Sequence, residues 1–283
     1  MPKNPILSEA NAPLSVGNVV SAGLRIYRDR FKLYYGLAFI AYLWILIPIY
    51  GWAKFSAGLG LISRLAFSEV RNRPETVSEA RRIVEPRKWS LWGAGFLVGL
   101  ILIGVFIGGF LILSFIGGFI GGFVGREPSI SSIVISFLVG AVAIIAFLFG
   151  YIWFFSRLSL VELCLAIEDD PINASSAISR SWQLTKGFVL RLQVIFFVAF
   201  LITLPVSVLV QIVTTVAQLT LAGLIPKDSS LFALLYFLVT LLLAFVSGAL
   251  LLPFWQAIKA VIYYDLRTRK EGLGLQMRDA DLR

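Results

Sequence analysis

Between Lys88 and Arg126 the chain runs for 37 residues without one charged side chain. Nothing else in the sequence constrains the fold as strongly. In hydrocarbon every backbone N–H and C=O must find its partner inside the structure, so only helices and closed barrels cross a bilayer. A helix needs about 20 apolar residues to do so. The rest of the chain is of the same character. Apolar residues make up 58% of the 283, and charged residues 14%, against about 25% charged in an ordinary soluble domain. A water-soluble globule and a disordered chain are both excluded. The expected class is an all-α membrane protein.

Residues 1–14 are polar, and no apolar stretch with a small-residue cleavage site follows them, so no signal peptide is read. They are expected to form a flexible N-terminus. Residues 15–265 form one helical membrane domain, and 266–283 a charged cytoplasmic tail. Ser15 is an expected N-cap. Val16, Val20, Leu24, Tyr27 and Phe31 then recur at helical spacing, with Arg25, Arg28 and Lys32 off that face. This is the pattern of an interfacial helix whose basic face meets anionic headgroups. Thr76 and Glu79 have capping-box spacing and open a second such helix carrying Arg81 and Arg82. A third follows Asn173 and ends near Lys186.

The apolar stretch 33–67 is too long for one crossing. It is either one tilted helix or a hairpin turning at 48–51, and the many arginines after it favour the hairpin by the positive-inside rule. Ala53, Ala57, Gly58 and Gly60 suggest close packing of its second arm, and Lys54 is expected to snorkel to the outer face. Further spans are expected at 90–115, 129–155, 188–222 and 231–262. Trp89 and Trp92 mark an aromatic belt at the foot of the first of these. Glycines four apart (Gly95 and Gly99, Gly104 and Gly108, Gly117 and Gly121) point to close helix contact more than to a flexible gate.

The reading is therefore six transmembrane helices and three interfacial amphipathic helices. All but three of the 25 basic residues then lie inside, with both termini cytoplasmic. A degenerate repeat accompanies this: each amphipathic helix leads into a pair of spans, and Phe31 precedes Pro48 by the same 17 residues that separate Phe188 from Pro205.

Chemistry is narrow. The chain has no histidine and one cysteine, Cys164, which removes Ser-His-Asp and Cys-His catalysis, the usual zinc sites and any internal disulfide. No phosphate-loop or dinucleotide fingerprint occurs. Glu168, Asp169 and Asp170 read as a solvated turn rather than a metal site, and no cofactor is expected. Thr203, Ser207, Gln211, Thr214 and Gln218 form one polar stripe on the fifth span. It serves either as hydrogen-bonding glue between helices or as the lining of a hydrophilic path or a lipid headgroup groove. Arg157, Glu162, Arg191 and Lys259 are expected to gather as a charge cluster at the inner leaflet, more as an ion-pair lock than as a substrate site.

Three segments carry a family resemblance. They are Pro13 to Gly17 with Arg25-Ile-Tyr-Arg28, Asn173-Ala with Ser181-Trp182 to Gly187, and Tyr263-Tyr-Asp-Leu-Arg267 with Glu271-Gly272. Together they resemble bacterial proteins grouped with the membrane domain of glycerophosphoryl diester phosphodiesterase. The resemblance implies a helical membrane module. The phosphodiesterase activity of fused members needs a separate barrel with histidine, and this chain has neither. The expected role is non-enzymatic: a polytopic protein of the bacterial inner membrane that organises lipid or a membrane complex through a basic cytoplasmic face. The alternative is a small-solute transporter or channel lined by the fifth-span stripe. Expected partners are anionic lipids, with a partner membrane protein or a second copy of the chain, and no nucleic acid, since the net charge of +9 is accounted for by topology.

Overall fold

A computed structural model describes residues 14–126, 129–168 and 173–272. Within these residues all regular structure is helical. The N-terminal residues before 14, the acids at 169–170 and the tail beyond 272 lie outside the described residues. The helices in chain order are α1 (Val16–Asp29), α2 (Phe31–Trp44), α3 (Tyr50–Val70), α4 (Val77–Val84), α5 (Lys88–Arg126), α6 (Ile130–Leu158), α7 (Val161–Ile167), α8 (Ala174–Thr185), α9 (Val189–Leu224) and α10 (Ser230–Glu271). Three short helices, α1, α4 and α8, each precede a helical pair.

Side-chain caps open α1, α4, α6 and α10. The Ser15 hydroxyl accepts from the Asn18 amide at 3.1 Å. Thr76 and Glu79 form the reciprocal box that caps α4. Asn173 occupies the N-cap position of α8 but makes no side-chain cap bond.

The stretch 33–67 is a hairpin and not one tilted helix. It reverses over 45–49, slightly ahead of the expected turn. Ile49 sits there at a φ of 62°. Gly51 is required: a Cβ on it would come within 1.8 Å of the Trp44 carbonyl oxygen. As expected, the second arm packs closely. A Cβ at Gly58 would meet that of Ala41 at 2.6 Å, and Ala53 and Ala57 are buried.

Four helical stretches are long and apolar enough to cross a membrane: Val77–Gly122, Ile130–Ile167, Val189–Leu224 and Ser230–Glu271. α2, with 14 residues, and α3, which carries Lys54, Arg64 and Glu69, are not among them. Pro205 and Pro253 lie inside continuous helices, whereas Pro48 lies in a turn. The equal spacing of Pro48 and Pro205 from their phenylalanines therefore does not mark an equal structure.

The core sits at one pole. α7 is buried along nearly its whole length, and around it lie the C-terminal halves of α3 and α10 and the N-terminal parts of α5 and α9. α1 joins this core along α10, where Gly23 abuts Ile258 and the Tyr27 hydroxyl donates to the Leu250 carbonyl at 2.7 Å. Neighbouring contacts run α3–α5–α6–α9–α10 and back to α3. Away from this pole the helices share little. No residue is buried from 95 to 122, 133 to 155, 204 to 224 or 230 to 244. This overturns the close packing expected of the α5 glycines. A Cβ at Gly95, Gly99, Gly104, Gly108, Gly117 or Gly121 would meet nothing within 4 Å, and only Gly109 lies against a neighbour, Phe147. α5 has packing partners on too little of its circumference for its small residues to meet them.

Candidate functional site: an inner cavity and its charged pole

The packed pole is held by ion pairs between segments far apart in sequence. Asp265, 5% exposed, accepts from the Leu14 amide at 3.2 Å and pairs with Arg191 at 3.1 Å and Arg269 at 3.0 Å. Arg191 also donates to the Leu14 carbonyl. Arg64, buried on α3, grips Glu75 with two parallel bonds of 2.7 and 2.9 Å and donates to the Ala166 carbonyl at 3.1 Å. Such planar fork-to-carboxylate pairs are among the stronger charged contacts. Glu168 accepts from Arg180 at 2.9 Å and from the Tyr263 hydroxyl at 2.9 Å, and Arg180 also pairs with Glu271. Burial pulls the Arg180 guanidinium toward neutrality, and the two carboxylates outweigh it and hold its pKa above the usual value. Near Arg30 and Tyr34, burial pushes the Glu69 carboxyl up from its ordinary range, against the opposing pull of Arg30 and the Tyr34 hydroxyl.

The expected cluster of Arg157, Glu162, Arg191 and Lys259 is divided among three places. Arg191 belongs to the Asp265 clasp. Arg157 lies against the rings of Trp153 and Trp182, at 5.0 and 4.7 Å from their centroids, and donates to the Trp182 carbonyl at 2.8 Å. This is a cation–π seat and not an acid pair. Glu162 and Lys259 do meet, at 3.7 Å. Ser63 and Gln256 complete their surroundings: the Gln256 amide donates to Glu162 at 3.2 Å, and the one hydroxyl proton of Ser63 is shared between the Gln256 carbonyl oxygen at 3.0 Å and Glu162 at 3.3 Å. Sequence reading missed Ser63, Gln256 and Asp265, whose partners, Arg269 apart, lie more than 70 residues away.

Glu162 and Lys259 form the polar end of a cavity of about 170 Å³ between α3, α5, α6, α7 and α10. Leu59, Val98, Leu102 and Phe155 line its apolar walls. An apolar cavity with a few convergent polar groups is the form small-molecule sites take.

The α9 stripe is bonded mainly to its own helix. The hydroxyls of Thr203, Ser207 and Thr214 donate to backbone carbonyls one turn back. Gln211 reaches only Thr215, at 3.5 Å. Gln218 alone bridges helices, donating to Thr240 of α10 at 3.1 Å.

Of the residues expected to face headgroups, Arg28, Lys32, Arg81, Arg82 and Lys186 are exposed, and Arg25 is half-buried. Lys54 has a carboxylate partner within the fold. It pairs with Glu85, just ahead of α5, because that carboxylate lies beside it once α4 folds back along α3. Cys164 is fully buried.

Comparison with known protein families, with curated proteins and with solved structures finds no match.

Proposed function

We propose that this protein is a non-enzymatic, multi-pass membrane module that gathers anionic lipid at a basic pole on the cytoplasmic side of a bacterial inner membrane. One observation carries the reading. At the packed pole Arg64, Arg180, Arg191 and Arg269 are held in internal ion pairs, while Lys32, Arg81, Arg82 and Lys186 stay exposed around them. The first set builds the pole. The second set is left to act on what lies outside it. The contact of Leu14 with Asp265 supports both ends of the described chain lying on this same side, where the positive-inside rule sets the basic segments. The bonding of the α9 stripe to its own backbone favours this role over a conducting path.

The test is lipid retention. The protein, and a variant with Lys32, Arg81, Arg82 and Lys186 all changed to glutamine, are reconstituted in mixed anionic and zwitterionic nanodiscs. Native mass spectrometry then reads the lipids that stay bound. Each basic residue near an anionic surface contributes roughly 1 kcal/mol. The parent should retain anionic lipid preferentially, with the preference falling in high salt, and the variant should lose most of it. Equal retention by both proteins overturns the reading.

A further inference from the structure

The α2–α3 hairpin is the element whose place in the membrane is least expected from its sequence. If it crossed the bilayer, its turn at 45–49 would lie on the far side, level with the turns that join α5 to α6 and α9 to α10. Its contacts say otherwise. Lys54, in the second turn of α3, pairs with Glu85. The Lys88 ammonium lies 5.1 Å from the centroid of the Tyr50 ring. The Lys54 ammonium lies 5.5 Å from Trp44 and 5.7 Å from Tyr50. Glu85 and Lys88 stand at the foot of α5, which rises from there to Arg126 over 39 residues, a length of about 57 Å. The tip of the hairpin is therefore beside the foot of α5 and nowhere near its top.

α10 gives an independent measure. The hairpin meets it through Tyr42, whose ring lies against Gly248 and 5.7 Å from the Phe245 ring. From Ser230 to residue 244, about 22 Å of helix, no residue of α10 is buried. α2 itself, with 14 residues, is about 21 Å long, against a hydrocarbon core of roughly 30 Å. Yet the tip is apolar: Leu46, Ile47 and Ile49 are 56, 47 and 59% exposed, and Trp52 is exposed beside them. A tip of this composition is stable in hydrocarbon and costly in water. Trp44, Tyr50 and Trp52, next to Lys54 and Lys88, have the amphipathic character of side chains that sit near the headgroup boundary.

We infer that α2 and α3 form a re-entrant hairpin. It enters the leaflet on the side of the packed pole, seats its apolar tip among the acyl chains of that leaflet, and returns to the same side, so that the chain crosses the membrane four times and not six. Its backbone is helical on both arms, which satisfies its own N–H and C=O groups at that depth.

Single cysteines test this, in a Cys164→Ala background. Ser78→Cys on α4 and Ser230→Cys at the start of α10 mark the two sides, and Ile47→Cys marks the tip, with Leu46→Cys as a second tip variant in case the first does not fold. A membrane-impermeant maleimide is applied to intact cells and to inverted vesicles, and a spin label at the tip is read for access to oxygen against a water-soluble nickel chelate. The expected result is labelling of residues 78 and 230 from opposite sides, protection of the tip from both, and oxygen access well above nickel access. Labelling of the tip from the side of residue 230 overturns the inference in favour of six crossings. Labelling from the side of residue 78 overturns it in favour of a hairpin outside the bilayer. The readout is topology alone, so it stands or falls apart from the lipid preference proposed above.

Discussion

Asp265 shows how much of this fold depends on single charged residues. It is almost fully buried and holds two arginines and the amide of Leu14. Removing one partner of a buried pair costs more than the pair contributes, because the other partner is left charged and unpaired. Asp265→Asn should therefore destabilise the protein by about 3 kcal/mol, seen as a clear fall in the apparent melting temperature in detergent. Lys227→Gln, at an exposed lysine in the α9–α10 connection, should leave it unchanged. An unaffected Asp265→Asn protein would show that the clasp is ornamental. The same rule separates the expected charge cluster into its parts. Glu162 found Lys259 because their helices converge on one cavity. Arg157 found two tryptophans instead, since Trp153 lies one turn back on α6 and Trp182 faces it from α8. Residue types alone do not decide between those outcomes.

Helices divide into those whose sequence spells out their surroundings and those whose sequence misleads. Glycine separates the two. On α3 and its turn the small residues are in tight contact, and Gly51→Ala should collide with the Trp44 carbonyl and open the hairpin, lowering thermal stability. On α5, Gly117→Ala meets open space and should be neutral or slightly stabilising, since alanine is the better helix former by up to about 1 kcal/mol. Circular dichroism melts of the two variants check the pair, and equal effects would contradict the packing described. Capping at Ser15 and at Thr76 with Glu79 was legible in the sequence because both partners lie within one turn. So were the long apolar helices, which follow from uncharged length, whereas Pro48 and Gly51 marked only a break, and the positive-inside rule favoured a hairpin there without excluding one tilted helix. The depth of that hairpin was not legible. It depends on Lys54 meeting Glu85, 31 residues on, and a lysine in an apolar stretch reads the same whichever side it reaches. The α9 stripe was legible as a stripe, and its hydrogen bonds to its own backbone were not.

The whole molecule is two unlike halves on shared helices. One pole is a densely packed, ion-paired core. The other consists of helical pairs with few partners beyond each other, whose apolar sides suit lipid. Regions with few buried contacts open first. In detergent, hydrogen exchange followed by mass spectrometry should find 97–122 and 133–155 exchanging well before 249–266, and uniform protection would contradict this division. The clasp between α1 and α10 also has a meaning in time. Leu14 and Asp265 are 251 residues apart, and at roughly 5–20 residues per second a ribosome needs on the order of ten to fifty seconds to make that interval. α1 must wait for α10 before it can bury Gly23 against Ile258. Until then its apolar face is open to any chaperone, insertase or neighbouring chain within reach.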